Sequence, residues 1–148
     1  MIRNEAEYKE AVKRIEHETK LLAQQRKILK AAGVKGEALE ISMQPLLSFQ
    51  NQLKEEVSAY EQLKRGNIGE FFNLEGLGRT LVAIRLARGL TQRELAERLA
   101  VHETQISRDE RNEYHGITVE RAAKILNALH VSMVSKFEEP VLPESKGA

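Results

Sequence analysis

The sequence predicts an all-α protein in two parts. An antiparallel helical hairpin spans residues 1–66 and a four- to five-helix domain spans 77–137, with a connector at 67–76 and a flexible tail at 138–148. Three observations predict this. Apolar residues recur at alternating spacings of three and four along 4–31, and a second apolar stripe runs from Leu46 to Tyr60. Glycines and capping residues divide the rest of the chain into helix-sized pieces. Residues 90–112 place a cap, a small residue and a tight turn where two short, closely packed helices need them.

Composition bounds the function. With 148 residues, 41% of them hydrophobic, the chain can build a modest core as one domain or two small ones. It has no cysteine, so disulfides and thiolate metal sites are excluded. No apolar run approaches the ~18 residues of a membrane span, and the charged start lacks the apolar segment of a signal peptide. A soluble, cytoplasmic protein without a membrane partner is therefore expected. The net charge of +1 is small, and its distribution says more. Nine Lys and Arg face five Glu in residues 1–35, and nine face seven acids in 76–131. In the second stretch nearly all the cations are Arg, whose forked guanidinium suits phosphate and guanine. His17, His102, His115 and His130 are scattered without metal spacing, and there is no glycine-rich phosphate loop or nucleophile elbow. No enzyme activity, catalytic residue, metal or cofactor is expected.

Along the first helix Tyr8, Val12, Ile15, Thr19, Leu22, Arg26 and Leu29 form a narrow seam, weakened by Thr19 and Arg26, before Ala31-Ala32-Gly33 offers a stop. The second stripe consists of Leu46, Leu53, Val57 and Tyr60, helped by Leu39, Met43 and Leu63. Pro45 fits the first turn of a helix starting near Ser42, or a kink in one starting near Glu37. Lys64-Arg65-Gly66 closes that element. Two such stripes either pack on each other and on the second domain, or supply a homodimer or partner surface.

In the connector, Phe71 and Phe72 are expected to anchor to a neighbouring core. Asn73 can cap a third helix running to Arg88, with Leu77, Leu81, Ile84 and Arg85 inward and Gly89 closing it. Thr91 can cap the next helix, with Glu94 reaching back to its N–H. Leu95, Ala96 and Leu99 form that helix's apolar face, and Ala100-Val101 makes the turn. The helix from about Glu103 to Arg111 hides Ile106 and shows Thr104, Gln105, Arg108 and Arg111. This is the plan of a helix-turn-helix, whose second helix can enter a DNA major groove. Thr118 caps a last helix, Val119 to Leu129, with Val119, Ala122, Ala123, Leu126 and Leu129 on the core side. His130 then stands where glycine is usual, and Met133 to Phe137 reads as a strand or an anchor.

From about Leu77 to Val131 the chain resembles the Cro/phage-repressor (Xre-type) helix-turn-helix family. The resemblance rests on Gly89-Leu90-Thr91-Gln92, Glu94-Leu95-Ala96, a short turn, and Ile106-Ser107-Arg108 with Glu110-Arg111, followed by a final helix. It implies that Gln92 clasps a phosphate and braces the reading helix, and that His102, Glu103, Thr104 and Arg108 face the groove. Arg108 would grip guanine with two bonds, Thr104 would meet a thymine methyl, and Glu103 would accept from a cytosine amino group. Gln105, Ser107, Arg111 and Asn112 become candidates for phosphate or flanking contacts. The resemblance also implies a structural ion pair between Arg85 and Glu110.

Four positions depart from the family pattern. Ala100 replaces a usual glycine, His102 replaces a Ser or Thr cap, and Glu103 and Asp109 add negative charge near the DNA face. Asp109 stands at a position that usually packs inward, so either the reading helix is rotated slightly or, as expected here, Asp109 is held by Tyr114, His115 or a loop N–H. The expected function is sequence-specific recognition of double-stranded DNA by a transcriptional regulator, as a homodimer that spaces two reading helices ~34 Å apart. An antitoxin repressing its own promoter, with residues 1–66 on a toxin, or a protein-interaction adaptor with weak DNA binding, are the alternatives.

Overall fold

Asn4 starts the first helix: its side-chain oxygen accepts from the backbone N–H of Glu7 at 2.8 Å, the role of an N-cap. The computed structural model describes residues 1–145, and among them it contains six α-helices and no strand. α1 (Glu5–Ala31) and α2 (Gly36–Lys64) form the hairpin; α3 (Leu77–Ala87), α4 (Gln92–Arg98), α5 (Glu103–Arg111) and α6 (Val119–Ala128) form the four-helix unit. None of these helices is long and apolar enough to cross a membrane.

The hairpin seam buries Ala11 from α1 and Leu39, Met43, Gln50 and Tyr60 from α2. Thr19 is tolerated there because its hydroxyl donates to the Ile15 carbonyl at 2.7 Å and accepts from the Gln50 amide at 2.7 Å. Arg26 reaches across to Glu40 at 2.8 Å. The Tyr8 and Tyr60 rings stack with centroids 5.0 Å apart. Burial, with Glu5 beside it, pushes the Tyr60 hydroxyl up to about 12. The second helix starts at Gly36, not near Ser42, so Pro45 lies inside it. The stripe also differs at Leu46, which is exposed: from Met43 the seam steps four residues to the half-buried Leu47, then three to Gln50.

One hydrophobic cluster holds Ile2, Ala11 and Tyr60 together with Leu81, Leu95, Ile106, Ile125 and Leu129. The base of the hairpin is thus packed into the core of the four-helix unit, chiefly through α2 against α3. In the connector Phe71 packs on this cluster, whereas Phe72 is exposed and anchors nothing. Asn73 does not cap α3. Asn73 and Leu74 both adopt left-handed backbone (φ 51° and 65°), and the chain enters α3 through Gly76, also left-handed at φ 84°. One residue into α3, Gly78 lies under the α5–α6 loop. A Cβ built there would stand 1.8 Å from the Glu113 carbonyl oxygen.

Thr118 caps α6 by accepting from Arg121 N at 3.2 Å. The buried face of α6 runs through Ala122, Ile125, Leu126 and, just after it, Leu129. Val119, at the open end of the helix, and Ala123, one step around it, are both exposed and leave the core side expected for them. His130 takes the left-handed position after the helix (φ 54°), and its carbonyl accepts from Arg88 at 2.8 Å. Met133 to Phe137 is neither strand nor anchor, having no regular structure and exposed side chains. Residues 138–145 likewise carry no helix or strand, and residues 146–148 of the tail lie outside the described residues.

Candidate nucleic-acid interface

The interface is built on a buried charge network. Arg85 and Glu110 form a forked pair, Nε to Oε1 at 2.5 Å and Nη2 to Oε2 at 2.7 Å, with both side chains essentially without solvent. Arg85 donates further to the Leu90 carbonyl at 2.6 Å and the Arg3 carbonyl at 2.8 Å. Glu110 also accepts from the Gln92 amide at 2.7 Å. Five segments therefore meet at one guanidinium and one carboxylate: the stretch before α1, α3, the α3–α4 turn, the start of α4, and α5. Each bond satisfies a group that would otherwise be buried unpaired.

α4 is short and secured at its start. Thr91 Oγ1 accepts from Glu94 N at 3.1 Å while the Glu94 carboxylate accepts from Thr91 N at 2.7 Å, a closed capping box. That backbone N–H holds the Glu94 carboxyl below the usual carboxylate range. A lowered folded pKa stabilises above the unfolded value and is lost as pH falls through the folded one. The Thr91 amide resonance is accordingly expected to stay constant at neutral pH and move only once acid protonates Glu94.

Leu95 and Ala96 are buried against α5, and the small Ala96 side chain lets the two helices approach. Ala100 makes the turn with φ 55°, a left-handed conformation that costs a residue with a Cβ about 1 kcal/mol. Because Ala100 is exposed, Ala100→Gly is expected to raise the unfolding free energy by up to about 1 kcal/mol, measurable in urea.

His102 caps α5: its Nδ1 accepts from Thr104 N at 3.3 Å and lies 2.9 Å from Thr104 Oγ1. A backbone N–H can only donate, so Nδ1 is unprotonated in this arrangement and the ring proton sits on Nε2. The helix buries Ile106 and Glu110 and leaves Glu103, Thr104, Gln105, Arg108, Arg111 and Asn112 exposed, with Ser107 half-buried. Arg108 and Arg111 form no ion pair among the described residues. Gln92, by contrast, is already engaged by Glu110, which leaves its second amide hydrogen for an outside acceptor.

Arg121 of α6 is a participant that the sequence reading missed. It donates to Asp109 at 2.5 Å, so Asp109 is held by a cation and not by Tyr114, His115 or a loop N–H. With its amide oxygen turned toward the same guanidinium, Gln105 accepts from both terminal nitrogens at 3.1 and 3.0 Å. Gln105 and Asp109, four residues apart, thus tie one edge of α5 to α6. The sequence signal was there: an acid at an inward position needs a cation, and Arg121 lies at the start of the next helix. Tyr114 is buried beside this pair, its hydroxyl has no partner, and burial raises its pKa. No group of three or more acidic or His side chains among the described residues could hold a metal ion.

A short capped helix, a left-handed turn and a second helix showing free arginines, all braced by flanking helices, define a DNA-binding helix-turn-helix unit. Residues 81–135 match a family model described as helix-turn-helix. Comparisons with curated proteins and with solved structures return no match.

Proposed function

We propose that the chain is a transcriptional regulator that reads a specific double-stranded DNA sequence with α5 and does so as a homodimer. The observation that carries this reading is the pair of exposed, unpaired arginines, Arg108 and Arg111, on a helix whose opposite face is fixed by the buried Arg85–Glu110 bond. Arg108 would grip guanine, while Thr104 and Glu103 would select neighbouring bases. His102, through Nε2–H, would donate to a base or phosphate acceptor. The free hydrogen of the Gln92 amide would bond a phosphate, with Ser107, Arg111 and Asn112 flanking.

One α5 covers too little DNA for tight specific binding, so two copies on a near-palindrome are needed. Glu103 adds repulsion against phosphate at the same face, which increases the dependence on pairing.

The test is selection of bound sequences from random duplex DNA, followed by salt-dependent retention of variants on the selected site. Arg108→Ala is expected to lose ~10- to 100-fold in affinity and to relax one guanine position, whereas Lys13→Ala leaves both unchanged. Equal binding before and after Arg108→Ala would remove α5 as the reading helix.

A further inference from the structure

We propose that the segment following α6 is an exchange arm that lies along the hairpin of a second copy of this chain. The inference rests on the homodimer reading above and names the surfaces that make it.

Two apolar features are left uncovered in a single copy. On the arm, Val134 and Phe137 are 90% and 84% exposed, and Val141 and Leu142 follow in the same state. On the hairpin, Leu21 and Ile28 are 49% and 54% exposed, one heptad apart along an edge of α1. That edge faces Phe49 of α2: Arg14, one heptad before Leu21, sits over the Phe49 ring at 4.8 Å. Large apolar side chains grouped in this way mark an interaction surface, whereas scattered ones are ordinary.

Charge selects the occupant. From Thr19 to Lys35 the chain carries Lys20, Arg26, Lys27, Lys30 and Lys35 and no acid. Only Arg26 among these has an ion-pair partner in the structure. The arm has the opposite balance, with Glu138, Glu139 and Glu144 against Lys136 and Lys146, the three acids lying together with Phe137, Val141 and Leu142. An acidic apolar strand therefore fits a basic apolar edge in both respects. A nucleic acid would use the lysines but would leave Leu21, Ile28 and Phe49 in water.

Geometry favours a second copy. The arm leaves from Val131, which packs on the core of the four-helix unit, and the hairpin meets that core at its base through Ile2 and Tyr60. Leu21 and Ile28 lie about 25–35 Å along α1 from its start, whereas the six residues from Val131 to Phe137 span at most ~21 Å when extended, which favours the hairpin of another copy over the chain's own as the seat of Phe137. Exchange about a two-fold axis is reciprocal, each arm lying on the other hairpin. Ten residues of extended chain cover on the order of 500 Å² a side, so two arms reach the ~1,000 Å² that a specific interface requires.

The test uses the full chain. Its mass in solution by light scattering is expected to be that of a dimer. Phe137→Asp and Ile28→Asp are each expected to give monomers with an unchanged circular dichroism spectrum, since both side chains are exposed in a single copy, and a melting temperature that no longer rises with protein concentration. Since the chain has no cysteine, Phe137→Cys and Ile28→Cys variants, mixed and oxidised, are expected to form a disulfide between copies. A doubly substituted chain that closes only on itself would overturn the exchange, since the arm would then cover its own hairpin. A dimer that survives both Asp variants would overturn it while leaving the homodimer reading standing. A wild-type monomer, with and without DNA, would sink both.

Discussion

Glu110→Ala is expected to unfold the protein and with it abolish DNA binding. The substitution leaves the Arg85 guanidinium in a site almost without solvent, still bonded to the Leu90 and Arg3 carbonyls but with no counter-charge, and it deprives the Gln92 amide of its acceptor. Breaking a fully buried pair from one side costs about 3–5 kcal/mol. That is a large share of the ~5–15 kcal/mol by which a domain is stable. Thermal melting followed by circular dichroism, alongside DNA retention, is the check. A variant that melts like the wild type yet binds weakly would mean that Glu110 acts at the DNA and not through the fold.

Gly78→Ala is expected to be almost as damaging for a single added methyl. The new Cβ would lie 1.8 Å from the Glu113 oxygen and 2.7 Å from its carbonyl carbon, so backbone has to move. The loop it meets has little freedom to yield, because Glu113 and Tyr114 both hold left-handed conformations at φ 50° and 52°. Overpacking that forces backbone to shift costs about 1–3 kcal/mol, occasionally more. Because this loop links α5 to α6, urea unfolding should show an earlier midpoint. An unchanged midpoint would show that the loop relaxes at no cost.

What could be read from the sequence was whatever is decided within a few residues. The capping box is closed by atoms three residues apart, Thr118 caps α6 by accepting from an N–H three residues on, and Gly89 and His130 follow their helices in left-handed backbone. The seam of α1 follows from spacing alone. The start of α2 could not be read, because Lys35 makes no side-chain cap and Pro45 fits a first turn as well as an interior position. Asn73 misled for the converse reason: it is a good capping residue, but Phe71 binds the core and the following turn carries the chain three residues further before α3 begins. At the interface, the reading helix and its exposed arginines were legible, whereas of the Arg121 tie to Asp109 and Gln105 the sequence signals only that Asp109 needs a partner, because the choice of partner spans two helices. The same holds for the Arg3 carbonyl on Arg85, an acceptor that any residue type at position 3 could provide.

That carbonyl has a consequence for how the molecule comes apart. A main-chain oxygen before the hairpin, a side chain in α3 and a carboxylate in α5 are wired in series, and Ile2 and Tyr60 share their core with Leu81 and Ile106. The hairpin base and the reading helix therefore belong to a single cooperative unit, and a calorimeter should record one transition with no separate peak for residues 1–66. Hydrogen exchange should tell the same story from inside, with amides at the foot of α1 opening at the same free energy as those of α3, and those toward the far tip opening earlier.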